Sequence, residues 1–144
     1  MYAVTNPATG VVEATYPTAT DEQIQEAMAK AHNAYTQWSV SALEERVALL
    51  ERVADIYEAR AEELAAIITR EMGKPIKQAL GEIGIVAAIY RYYAKNGPKY
   101  LEDEELEIAS GGKALVRKEA VGALLGIMPW NFPYYQVARF AAPN

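Results

Sequence analysis

Gly126-Ile127-Met128-Pro129-Trp130-Asn131-Phe132-Pro133 decides how this chain is read: an apolar run stops at one carboxamide set between two prolines and two aromatics. The run starts at Val121, and Val121 to Met128 (VGALLGIM) shows no period-2 alternation, the pattern of a strand covered on both faces in a parallel sheet. Tyr134 to Ala142 then reads as a short helix. Asn131 is thereby expected at the carboxyl end of a strand, where open α/β sheets bind their ligands.

Pro129 and Pro133 fix their own φ and push Met128 and Phe132 toward extended backbone, so the Asn131 amide is displayed on a stiff turn. Two uses fit such a residue. It can make the turn and cap the helix that follows, or it can serve as a preorganised donor to an oxyanion, worth about 3–4 kcal/mol in enzymes that use one. With a helix from Tyr134, the residues Phe132, Tyr135, Gln136 and Arg139 fall at i, i+3, i+4 and i+7, on one face near Asn131. An arginine there is either a fork for a carboxylate or the partner of a structural acid.

Toward the N-terminus the chain is mostly helical in pattern. Tyr2 to Asn6 and Val11 to Tyr16 are short strand candidates around the turn Pro7-Ala8-Thr9-Gly10. Thr20-Asp21-Glu22-Gln23 is a capping box that opens a helix with Ile24, Ala27, Met28, Ala31, Tyr35 and Trp38 on one stripe. A second box, Ser41-Ala42-Leu43-Glu44, opens a stripe through Leu43, Val47, Leu50, Ala54, Tyr57, Ala61, Leu64 and Ile68. At 3.6 residues per turn that stripe predicts one helix of about seven turns. Gly73 supplies its stop, and Pro75 starts a third helix running to about Asn96-Gly97-Pro98. The tyrosines and tryptophan on these stripes read as core packing. Glu71 and Glu82, across a helix break, read as salt-bridge or helix-dipole residues and not as an acid–base pair.

The acidic stretch Leu101 to Glu107 lacks the spacing of an oxygen-ligand loop and reads as a solvated charge run, with no metal site. Leu106 to Ala109, the turn Ser110-Gly111-Gly112 and Ala114 to Ala120 read as a β-hairpin with Leu115/Arg117 and Val116/Lys118 on alternate faces. Gly81 and Gly84 sit inside a helix pattern and make no dinucleotide fingerprint, and Gly73-Lys74 lacks the other residues of a phosphate loop.

Composition narrows the class. Of the 144 residues 51% are hydrophobic and 23% charged, ordinary for a globular chain, and the net charge of −5 with no basic cluster argues against a nucleic-acid partner. No apolar run reaches the ~20 residues of a membrane span, and no signal-peptide pattern opens the chain, so a cytoplasmic protein is expected. Cysteine is absent.

The run Met128-Pro129-Trp130-Asn131-Phe132-Pro133, preceded by Val121-Gly122, strongly resembles the oxyanion-site motif of the aldehyde dehydrogenase superfamily. Other segments resemble the same family in the same order. Asn6-Pro7-Ala8-Thr9-Gly10 is similar to its N-terminal strand opening, and Ala27, Ala31, Ala34, Tyr35 and Trp38 to its first helix. Glu71-Met72-Gly73-Lys74-Pro75 with Glu82 is similar to its helix-end signature, and Tyr92-Tyr93-Ala94 to the next helix. The resemblance covers nearly the whole chain and is strongest to the short bacterial succinate-semialdehyde dehydrogenase branch.

The resemblance implies an incomplete α/β aldehyde dehydrogenase fold: N-terminal helices, a β-hairpin oligomerisation arm and the first strand of a Rossmann-like parallel sheet. Residues 1–100 would be the helical part of the cofactor-binding domain with a leading hairpin, 101–120 the arm that pairs with another subunit, and 121–144 the first strand and helix of the Rossmann-like core. It implies NAD or NADP as cofactor, bound along Ile127, Met128, Pro129, Trp130 and Asn131. It implies Asn131 as the catalytic oxyanion donor and Phe132, Tyr135 and Arg139 as substrate-binding residues, with Arg139 on the distal carboxylate of succinate semialdehyde. In the family a cysteine thiolate attacks the aldehyde, hydride passes to the nicotinamide, and a glutamate activates water to hydrolyse the thioester. This chain has no cysteine, and neither that glutamate nor the later glycine-rich turn and lysine of the cofactor site is found in it. It is therefore expected to be the N-terminal part of a longer dehydrogenase. The alternatives are a truncated, non-catalytic helical assembly module, and the same fold acting on a neutral aldehyde.

Overall fold

The computed structural model describes residues 1–109 and 111–144. Two antiparallel strands open the chain, β1 (Tyr2–Thr5) and β2 (Val12–Tyr16), with Tyr2 opposite Tyr16 and a bulge after Val4. Their turn closes on itself. The Asn6 side chain accepts the Ala8 N–H at 3.0 Å, and Gly10, at φ 72°, donates to the Asn6 carbonyl at 2.8 Å.

Four long helices follow. Helix α1 (Asp21–Trp38) starts at the expected capping box, where Thr20 and Gln23 exchange side chain-to-backbone bonds of 3.3 and 2.9 Å. Its apolar stripe is largely uncovered: no residue of α1 is buried, Met28 is 60% exposed, and only Tyr35 on the stripe is half-buried. The reading of Tyr35 and Trp38 as core residues is thus corrected, because the other described elements cover that face only in part, leaving Tyr35 half-buried and Trp38 exposed.

The second expected capping box does not form. The Ser41 hydroxyl donates instead to the Trp38 carbonyl at 2.7 Å, closing the end of α1, and α2 (Leu43–Ala59) begins from Ala42 without a side-chain cap. The expected seven-turn helix is two helices. Arg60, at φ −110° and ψ 20°, breaks the ladder before α3 (Ala61–Met72), and its guanidinium grips Glu63 through bonds of 2.6 and 2.9 Å. The stripe survives the break, since Ala54, Leu64 and Ile68 are all buried.

Gly73 ends α3 as expected, in the left-handed conformation at φ 81° with its N–H on the Thr69 carbonyl. A Cβ at Gly73 would stand 3.0 Å from the ring of Pro7, so the first hairpin turn rests on this elbow. Helix α4 (Ile76–Tyr100) begins one residue after Pro75 and runs through Pro98 to Tyr100, further than the expected stop. The proline sits in the last turn, where only the Ala94 carbonyl loses a donor.

A short hairpin, β3 (Glu104–Leu106) with β4 (Ala114–Val116), lies beyond. It is shifted toward the N-terminus from the expected strands on one side and cut short on the other. The Arg117 side chain grips Asp103, with a bond of 2.9 Å from its Nε, so the acidic stretch supplies both a strand and an ion-pair partner. Ser110, in the expected turn, lies outside the described residues.

Val121 to Met128 is not a strand here, a correction to the sequence reading. A strand is made by its neighbours, and no described element offers this segment an edge. It is irregular, with Val121, Leu125 and Ile127 more than 80% exposed, and passes α5 (Pro133–Ala141) so closely that a Cβ at Gly126 would stand 2.9 Å from the Phe140 ring. The core is helical. Ala54, Val86, Ala87, Tyr90, Ala138 and Ala142 join α2, α4 and the end of α5, and Leu64, Ala65, Ile68, Ala79 and Ile83 join α3 to α4.

Candidate active site

Helix α5 carries the candidate site, and its first turn is satisfied in an unusual way. Phe132, at the N-cap position, has no side chain able to cap, and Pro133 at the first helical position has no N–H. The next two N–H groups, of Tyr134 and Tyr135, both donate to Oε1 of Glu82 at 3.0 and 3.1 Å. Gln136 then donates to the Phe132 carbonyl at 3.0 Å, the first bond of the helix itself. The free donors at the second and third helical positions are thereby satisfied. A carboxylate from α4, 52 residues earlier, does what the local sequence cannot.

The other oxygen of Glu82 pairs with the ammonium of Lys74, and both side chains are buried, 0% and 5% exposed. Burying two charges is costly unless every lone pair and proton finds a partner. Here the carboxylate takes three donors, and the Lys74 ammonium also lies 3.5 Å from the centroid of the Phe132 ring. Sequence reasoning assigned Glu82 a salt bridge or helix-dipole role, and the structure gives it both. It missed Lys74. The available signal was a carboxylate on the same stripe of α4 as buried Ala79, Ile83 and Val86, a place where a charge needs a partner.

Around this anchor the expected site residues take two arrangements. Phe132, Tyr135 and Arg139 do share a face: the Phe132 and Tyr135 rings meet edge-on at 5.7 Å, and the Arg139 guanidinium lies 5.4 Å from the Tyr135 centroid. Among the described residues Arg139 has no acidic partner, and it is exposed. Asn131 is exposed in the turn just before α5, and its side chain bonds to no described residue, so it does not cap the helix. Ile127, Pro129 and Trp130 are exposed and Met128 half-buried, leading into the turn that carries Asn131; Trp130 is 57% exposed.

Behind α5 three tyrosines pack together. Tyr57 stacks on Tyr90 at 5.9 Å and meets Tyr134 edge-on at 5.7 Å. Burial, reinforced by Tyr90 and Tyr134, pushes the Tyr57 phenol up to about 12, and burial raises Tyr134 as well. These phenols stay neutral over the physiological range and act as packing.

Comparison with known proteins agrees with this architecture over its whole length. A sequence model of the aldehyde dehydrogenase family matches residues 1–144. A succinate-semialdehyde dehydrogenase (NADP+) of Deinococcus radiodurans is 41% identical over 143 residues, covering 99% of this chain and 30% of that protein. A succinate-semialdehyde dehydrogenase (NADP+) 1 of Mycobacterium tuberculosis is 38% identical over 143 residues, covering 98% and 31%. The crystal structure of succinic semialdehyde dehydrogenase from Streptococcus pyogenes, in complex with NADP+, superposes with a TM-score of 0.95 at 38% identity, covering all of this chain and 32% of that one. This chain thus spans about a third of the length of these relatives. With the family model matched from end to end, this chain belongs to the aldehyde dehydrogenase family.

Proposed function

We propose that these residues are the N-terminal part of an NAD(P)+-dependent aldehyde dehydrogenase that oxidises succinate semialdehyde to succinate. The observation that carries this reading is Arg139. An exposed guanidinium without an acidic partner among the described residues, stacked on Tyr135 two turns from an exposed carboxamide, fits a substrate with an aldehyde at one end and a carboxylate at the other. The names of the relatives support the same substrate, and they support NADP+ over NAD+.

Each residue has a task in that reaction. Asn131 donates a hydrogen bond to the aldehyde oxygen as it takes on negative charge, a contact that strengthens toward the transition state. Arg139 holds the far carboxylate, with Phe132 and Tyr135 as the apolar walls between. Ile127 to Asn131 fit one side of the cofactor, because the segment exposes the apolar side chains of Ile127 and Trp130. Bound NAD(P)+ supplies the hydride acceptor. With no cysteine among residues 1–144, the attacking thiolate comes from outside them.

The hairpin of β3 and β4 leaves strand edges open, and residues 101–120 are assigned to pairing with another subunit of a cytoplasmic homo-oligomer. A monomer in sedimentation of the intact protein would contradict that assignment. The test of the activity is reduced-nicotinamide formation by the intact protein with succinate semialdehyde and either dinucleotide. Turnover is expected; its absence with every aldehyde would favour the assembly-module reading, which the bare apolar stripe of α1 supports.

A further inference from the structure

One buried ion pair holds the candidate site from both sides. Lys74 touches the Phe132 ring, the residue immediately after Asn131, and Glu82 binds the N–H groups of Tyr134 and Tyr135, immediately after Pro133. Neither charged side chain belongs to the segment it grips. Lys74 comes from the elbow between α3 and α4, and Glu82 from the second turn of α4, a helix anchored in the core through Ile83, Val86 and Tyr90.

The pair also reaches Arg139. A helix moves as a rod, so any shift at its first turn is carried two turns along to the guanidinium. No other side chain from outside α5 bonds to this turn among the described residues: Asn131 bonds to no described side chain, and the residues before it are irregular and mostly exposed. Apolar packing of Ala138 and Ala142 seats the rest of α5 in the core, and this ion pair is the polar contact from outside the segment that fixes its first turn.

We propose that Lys74 and Glu82 are positioning residues, which fix the spacing and direction of Asn131 and Arg139 through the start of α5. The pair touches neither substrate nor cofactor. Its effect on rate is that of alignment, where a displacement near 1 Å costs up to about a hundredfold. The proposal rests on the aldehyde-oxidising reading, so the wild-type intact enzyme is assayed first; a wild type without turnover defeats that reading and not the geometry.

Given an active wild type, two variants separate positioning from stability. Lys74→Met with Glu82→Leu replaces the ion pair by apolar side chains of similar size, a change that commonly preserves stability, but it removes the acceptor for α5. With melting temperature within a few degrees of wild type, kcat on succinate semialdehyde is expected to fall about tenfold or more, while KM for the dinucleotide stays within about threefold. Wild-type kcat in that folded double variant would overturn the proposal. Should it fail to fold, single variants Glu82→Gln and Glu82→Leu are compared, with kcat expressed per folded enzyme. Both lose the charge, but only glutamine keeps an acceptor oxygen. Glutamine is expected to restore kcat about tenfold over leucine, and equal kcat in the two would overturn the proposal.

Discussion

Glu82 accepts the backbone N–H of Tyr134 at 3.0 Å across 52 residues of sequence, joining the middle of the helical core to the turn that presents Asn131. The contact makes the candidate site a property of tertiary packing. The motif by itself specifies a stiff turn, and the buried carboxylate ties the helix that follows it to α4.

Removing this carboxylate strands a buried ammonium. Lys74 is 5% exposed and has no other acidic partner among the described residues, so Glu82→Ala is expected to destabilise the protein by about 3–5 kcal/mol. Urea denaturation checks this. A loss below about 1 kcal/mol would mean that the pair is hydrated in solution like a surface bridge.

Stability is expected to fall at high pH through Tyr57. Its phenol is pushed up to about 12 in the folded protein by burial and by the neighbouring Tyr90 and Tyr134, against 10.0 for a free side chain. Between those values the unfolded chain has lost the proton and the native one has kept it, so the unfolded state binds fewer protons and stability declines with pH. The contribution is fully present below pH 10 and is lost as pH rises toward 12. Tyr57→Phe cannot titrate and should flatten that part of the pH–stability curve; an unchanged slope would assign the loss to other groups.

Arg139→Ala removes the proposed carboxylate fork. A charge-assisted bond is worth about 1.5–3 kcal/mol, so kcat/KM for succinate semialdehyde is expected to fall by about 10- to 100-fold. Butanal, of similar length and without the carboxylate, should be affected much less. Equal losses on both would defeat the carboxylate assignment and favour a neutral aldehyde.

Local signals in the sequence located most elements, and their failures share a cause. Thr20 and Gln23 cap α1 and Gly73 ends α3, because these devices need only residues within one turn. Ser41 had an equally good box pattern, yet its hydroxyl bonds backward to Trp38, and nothing local separates the two outcomes. The break at Arg60 was hidden because the apolar stripe continues through it and the guanidinium pairs with Glu63 on the next helix. Val121 to Met128 has the composition of a buried strand, but strand formation depends on a partner edge that no stretch can specify alone.

The candidate site divides in the same way. The shared face of Phe132, Tyr135 and Arg139 follows from helical spacing and was legible. The anchoring of that face by Lys74 and Glu82 was not, because it joins residues more than fifty positions apart, and only the odd presence of a carboxylate on an apolar stripe hinted at it.

Asn131→Ala in the intact enzyme shows whether this carboxamide stabilises a developing oxyanion. Loss of one such donor lowers kcat by about 10²–10³-fold, with KM for succinate semialdehyde little changed. A kcat within about threefold of wild type would rule out the oxyanion role and leave Asn131 as a turn residue.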